Sequence, residues 1–124
     1  MNDTKWDEIR IAMNRLGEFT TRWRTLDLKT GHLSDWDAEW FYHFRAGGYR
    51  FIEWLEIAVD SEAQREAVLT ALVTIHVPGE FTSDGFKVFG HVAKGVAVDY
   101  LAPSAKSAKS ARRQSPLAPP GLRP

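Results

Sequence analysis

Between Trp36 and Val59 the chain reads Trp36-Asp-Ala-Glu-Trp40-Phe-Tyr-His-Phe-Arg45-Ala-Gly-Gly-Tyr49-Arg-Phe-Ile-Glu-Trp54-Leu-Glu-Ile-Ala-Val59. These 24 residues hold three of the five tryptophans, three of the seven phenylalanines and two of the three tyrosines. So much aromatic surface must be buried, and β-prone residues on both sides of Gly47-Gly48 predict a β-hairpin with a two-residue turn. That register pairs Arg45 with Arg50 and Phe44 with Phe51. It puts Trp40, Tyr42, Phe44, Phe51, Leu55, Ile57 and Val59 on a core face, with Glu53 as the polar intruder. The opposite face then carries Glu39, Phe41, His43, Arg45, Arg50, Ile52, Trp54 and Glu56. A three-residue Ala46–Gly48 loop would instead set Trp40 opposite Trp54 and bring Glu53 next to Phe41. In the two-residue register Phe41, Ile52 and Trp54 supply more apolar area than a solvated face needs.

Around this block the punctuation is regular. Asp3 or Thr4 caps a first helix to about Gly17, with Trp6, Ile9, Met13 and Leu16 on one stripe and Asp7, Arg10 and Asn14 turned away. Phe19–Leu28 reads as a strand. Ser61 followed by Gln64 is a capping-box pattern opening a helix from Glu62 to about His76, stopped by Pro78-Gly79. Phe86–Val92 alternates like a strand, and Val96–Leu101 can form a last short one. The expected fold is α+β: a small antiparallel sheet in the order α-β-β-β-α-β, with two helices packed on one face. Residues 1–101 form a single globular domain.

The net charge of zero conceals a division. Residues 1–101 hold 11 Lys/Arg and 16 Asp/Glu, a balance of −5, while residues 102–124 hold Lys106, Lys109, Arg112, Arg113 and Arg123 and no acid. This basic Ala/Ser/Pro-rich segment has few large apolar side chains and is expected to be a disordered tail that keeps the domain soluble or folds back onto the acidic body. Its Pro116-x-x-Pro119 spacing is commoner by chance than as a polyproline ligand.

With no cysteine in the chain, disulfides, thiolate metal sites and cysteine nucleophiles are excluded. The polar N-terminus has no apolar core of a secretory signal, and no stretch is apolar for the roughly 20 residues of a membrane span. A cytoplasmic protein is expected. The histidines at 32, 43, 76 and 91 lack zinc-site spacing, no cofactor is called for, and His76 suits a helix C-terminus as a cation. Gly85–His91 imitates a phosphate loop only in its first glycines, and no serine sits in a nucleophile elbow. An acidic body makes nucleic acid an unlikely partner.

The block Trp36-Asp-x-Glu-Trp40-Phe-Tyr-His-Phe-Arg45, with Trp6, Arg22-Trp23-Arg24 and Ile52-Glu-Trp54-Leu-Glu-Ile57, resembles a family of small bacterial proteins known only as a domain of unknown function. The resemblance covers about residues 1–101. It implies a bacterial, cytoplasmic, single-domain protein and brings no catalytic residue.

Two functional readings follow. The first is a non-enzymatic protein-binding module using Phe41, His43, Arg45, Arg50 and Trp54, because Trp and Arg most often anchor protein contacts. A toxin-neutralising immunity protein is its sharper version, since an acidic body suits a basic partner; a homodimer is the other occupant of such a face. The alternative is a small enzyme or ligand-binding protein with a site around His43, Glu53 and His91, which requires those side chains to converge. A buried Glu53 would be the acid–base candidate there.

Overall fold

A computed structural model describes residues 1–92 and 97–103. Helix α1 spans Asp3–Asn14 and is capped by Asn2, whose side chain accepts the Lys5 N–H at 2.9 Å. A 3₁₀ turn at Gly17–Phe19 leads into strand β1, Arg22–Asp27. Strand β2 is Ile52–Ala58, helix α2 is Glu62–Ile75, and strands β3 and β4 are Gly79–Phe81 and Gly85–Phe89. The sheet is antiparallel in the order β1-β2-β4-β3.

The fold is α+β, as expected, but its strands are distributed differently. The order is α-β-β-α-β-β: one strand fewer precedes α2 and one more follows it. The expected Phe19–Leu28 strand is shorter at its start, where Gly17–Phe19 makes a turn instead. The Pro78-Gly79 break that ends α2 also begins β3, a three-residue strand that pairs with β4 as a tight hairpin. The expected tail lies outside the described residues from 104 onward, as does part of the expected Val96–Leu101 strand. The rest of that strand forms one bridge, Tyr100 to Pro78.

The larger correction concerns the aromatic block. There is no hairpin about Gly47-Gly48: only Ile52–Ala58 is a strand, and its neighbours are β1 and β4. Residues 38–51 instead form a turn-rich loop laid against the core. Two acidic side chains start it. Asp37 accepts the Glu39 N–H at 2.8 Å, and the Glu39 carboxylate accepts the N–H groups of Phe41, Tyr42 and His43 at 3.1, 2.9 and 2.7 Å. Backbone donors tied up in this way cannot join a ladder. Trp40 and Phe44 then point inward one helical turn apart, and Gly48, at φ 77°, lets Tyr49 follow them.

Both helices cover one face of the sheet. Trp6, Ile9 and Met13 of α1 and Val68 and Leu72 of α2 pack with Leu55, Ile57, Phe86 and Val88, all virtually inaccessible to solvent. Phe44 sits at the centre of an aromatic nest, its ring 5.1 Å from Trp23, 5.1 Å from Trp40, 5.7 Å from Tyr49 and 6.0 Å from Trp6.

Ser61 caps α2 by accepting the Gln64 N–H at 3.1 Å, as the capping box predicts. The reciprocal bond runs one residue further back: Gln64 Oε1 accepts from the Asp60 N–H, while its amide donates to Phe19 and Thr20 carbonyls. Gln64 thereby staples α2 to the 3₁₀ turn. At the other end it is Lys5, not His76, that supplies the cation, donating to the Ile75 and His76 carbonyls. His76 takes a left-handed conformation (φ 69°) and stacks on Tyr100 at 4.3 Å.

Irregular segments flank the sheet. Residues 32–37 return along β1 through the bridges Leu26–Leu33 and Trp23–Asp37, and residues 99–101 run along Pro78-Gly79.

Candidate functional site

A β-bulge decides what faces solvent. Leu26 pairs with Trp54 and Asp27 with Ile52, so Glu53 is the extra residue and has no partner on β1. Its carbonyl accepts both the Gly90 and His91 N–H groups. A bulge interrupts the two-residue alternation. Ile52 consequently joins the core with Leu55, while Glu53 and Trp54, adjacent in sequence, line one cavity. This reverses the expected positions of Ile52 and Glu53.

The sheet face away from the helices carries Arg22, Arg24 and Leu26 of β1, Trp54 and Glu56 of β2, and Lys87 and Phe89 of β4. Arg24 Nε meets Glu56 Oε1 at 2.8 Å, and its guanidinium lies 4.4 Å from the Trp36 ring centre. Arg22 approaches the same ring at 5.5 Å and pairs with Asp60 at 3.0 Å. Lys87 Nζ stands 4.5 Å over Trp54. A cation thus stands over each tryptophan ring, and both rings stay partly in solvent; Trp36 keeps 38% of its surface exposed. No helix or strand among the described residues covers this face. Beside it, Glu53, Trp54, Glu80, Phe89, His91 and Asp99 line a cavity of about 460 Å³.

The aromatic loop presents a separate surface. Tyr42 is 64% exposed, and His43 and Arg45 are exposed beside it. His43 Nδ1 lies 2.9 Å from Asp37 Oδ2, so Nδ1 carries the proton that the carboxylate accepts. Burial pushes the Asp37 carboxyl up, but the Glu39 N–H and His43 outweigh it and leave the group below its ordinary value. Glu39 is held low chiefly by the His43 N–H.

Beneath the loop, Arg10 is buried although its helical position was expected to face away. Its Nη1 donates to the Phe41 carbonyl at 2.7 Å, its guanidinium lies 4.6 Å from the Phe41 ring centre, and its Nε reaches Asp7 at 3.2 Å. The Tyr49 hydroxyl donates to the same Asp7 oxygen at 2.6 Å. Burial first, and the Asp7 carboxylate second, push the Tyr49 hydroxyl up to about 12, and the Tyr49 bond holds Asp7 low.

The five expected contact residues are therefore not on one face. Phe41, His43 and Arg45 belong to the loop, with Phe41 half-buried under Arg10. Arg50 lies beside Phe51, and its carbonyl accepts from His91 Nε2 at 2.9 Å. Trp54 is on the sheet. Of the alternative trio, Glu53 and His91 meet in the 460 Å³ cavity, whereas His43 lines a different one of about 230 Å³ with Ser34 and Phe51. The Ser34 hydroxyl there is already engaged, accepting from the Thr25 N–H and donating to the Asp35 carbonyl. Among the described residues, no three His, Asp or Glu side chains are arranged to hold a metal ion.

Sequence reasoning missed Trp36, Arg24 and Arg10. Arg10 was legible, standing four residues after Trp6 and three before Met13, on the buried stripe itself. Trp36 and Arg24 were not, because residues 32–37 return along β1 through isolated bridges and have no strand-like apolar pattern of their own.

Residues 1–95 match a family of unknown function, DUF6678, and the chain belongs to that family. The aromatic block lies within the matched span. No curated protein and no solved structure matches the chain. No helix among the described residues is long and apolar enough to cross a membrane.

Proposed function

We propose that the protein is a non-enzymatic protein-binding module and that its contact surface is the bare outer face of the sheet. One observation carries this reading: Trp36, on the segment flanking β1, and Trp54 of β2 are both partly exposed, each with a cation over its ring, with the Arg24–Glu56 pair between β1 and β2. Preordered Trp and Arg side chains lose little freedom on docking, which is what makes them strong anchors. Trp54 thus keeps the role expected of it, joined by Trp36 and Arg24. Phe41, His43 and Arg45 form a second surface on the aromatic loop, where Arg10 holds the Phe41 carbonyl and ring, and Arg50 lies apart beside Phe51. The −5 balance of residues 1–101 favours a basic partner by steering, and a toxin-neutralising role in a bacterial cytoplasm is one such case.

The test is affinity capture from lysate of the source organism with wild type, Trp54→Ala and Trp36→Ala, after circular dichroism has shown all three folded. A stoichiometric partner is expected, its affinity falling at least about 30-fold in each variant, the effect of losing a 2 kcal/mol anchor. Unchanged capture by both variants refutes this surface. The cavity holding Glu53 and His91 supports the alternative of a small-ligand site. His91 donates through Nε2 to a carbonyl, leaving Nδ1 as its only acceptor.

A further inference from the structure

We infer that the cavity bordered by Glu53, Trp54 and Phe89 is the docking groove for the chain's own basic C-terminal segment, residues 104–124. The groove does not end at that cavity. Gly79, Glu80 and Asp99 line it and also line a second hollow of about 480 Å³, which continues along Phe81 to Leu101 and Ala102. The chain thus leaves the described structure at Pro103, immediately beyond the far end of the groove.

Charge matches occupant to groove. Glu53, Glu80 and Asp99 border it, and none of them has a salt bridge to another described residue. The C-terminal segment supplies Lys106, Lys109, Arg112, Arg113 and Arg123 and no acidic side chain. Chemistry matches as well. Trp54 and Phe89 offer an aromatic floor on which Lys stems and guanidinium planes stack, and Lys87 already stacks on Trp54 in this way.

Reach is ample. An extended chain spans about 3.3 Å per residue, so Lys106 lies within about 10 Å of Pro103 and Arg113 within about 33 Å. Tethering supplies the rest: an effective concentration in the millimolar range keeps a contact of millimolar affinity formed about half of the time. A competing path exists, because Pro103 also lies against Glu66, Leu69 and Val73 of α2. That hollow is half the size and has one carboxylate, so the sheet-side groove is favoured. The groove shares Trp54 with the proposed partner surface, but its occupant belongs to the same chain, so its occupancy is read with no partner present.

A chain without cysteine takes a single spin label at Ser107→Cys, and the full-length protein is then observed by ¹⁵N NMR. The amides of Glu53, Trp54, Glu80 and Asp99 are expected to lose about half their intensity relative to the reduced label. The loss disappears at about 0.5 M salt, where screening shortens electrostatic reach to a few ångströms. It also disappears in the labelled chain carrying Lys106→Gln, Lys109→Gln, Arg112→Gln and Arg113→Gln, and in Glu80→Gln/Asp99→Asn. Losses centred on Glu66 and Val73 overturn the inference, as do losses that survive either set of substitutions. A loss seen when labelled unenriched chain is mixed with unlabelled ¹⁵N chain assigns the segment to a second copy and overturns it too.

Discussion

Phe44 and Phe51 are chemically identical, and a Gly47-Gly48 hairpin would make them cross-strand partners on one buried face. The structure separates them. Phe44 is 4% exposed inside a nest of three tryptophan and tyrosine neighbours within 5.7 Å and a fourth ring at 6.0 Å, whereas Phe51 is 39% exposed. Truncating Phe44 to alanine removes a fully desolvated ring and leaves a cavity walled by stiff indoles that collapse poorly, at a cost of about 3–5 kcal/mol. Phe51→Ala loses a partly hydrated ring and exposed approaches of Lys29 and Arg50, together about 1 kcal/mol. Urea unfolding followed by tryptophan fluorescence reads the difference directly, since neither substitution alters the five tryptophans. The unfolding free energy of Phe44→Ala should fall at least about 2 kcal/mol further than that of Phe51→Ala, a large part of the 5–15 kcal/mol a domain of this size possesses. Equal costs for the two variants would refute the loop and restore the hairpin.

The Tyr49–Asp7 bond makes an alkaline prediction. Because the folded state raises the hydroxyl from 10.0 to about 12, it holds its proton more tightly than the unfolded chain. That contribution is intact below about pH 10 and is lost as pH rises toward 12, so urea midpoints should fall over this range. Tyr49→Phe should abolish that slope; an unchanged slope contradicts the assignment. Glu39 gives the acid counterpart. Its carboxyl is held below 4.5, first by the His43 N–H. Its contribution is therefore intact above pH 4.5 and lost as pH falls through the depressed value. Glu39→Gln, which can still accept backbone bonds but no longer titrates, should show a flatter decline in urea midpoint from about pH 4.5 downward.

Local signals carried much of the fold. Ser61 with Gln64 and the Trp6–Ile9–Met13 stripe each state their structure within one element, and of the expected Phe86–Val92 strand the part to Phe89 forms, while Gly90 and His91 bond the Glu53 carbonyl instead. The aromatic block was not, because two physical cues compete in it. Its composition is that of a strand, yet the acids at Asp37 and Glu39 stand just ahead of it and take up the N–H groups a ladder would use. Reading those acids as turn caps would have shown Trp40 and Phe44 as a four-residue, not a two-residue, repeat. Glu53 illustrates a different limit. Its bulge arises only when Asp27, Gly90 and His91 come alongside, and nothing within the sequence Ile52-Glu53-Trp54 announces it. The outer face that includes Trp54 inherited that ambiguity, and so did the expectation that Phe41 shared it.

The flanking segments 32–37 and 99–101 have a further physical effect. Strand margins with free N–H and C=O groups are where proteins recruit foreign strands and where aromatic-rich chains start to form fibrils. Here residues 32–37 lie along the margin of β1, and 99–101 are bonded at Val77 and Gly79 as the chain enters β3. Each flank is short and irregular, a poor template for another strand. The protein is thereby steered away from joining others edge to edge, and this keeps a domain with five tryptophans from adding strands without limit.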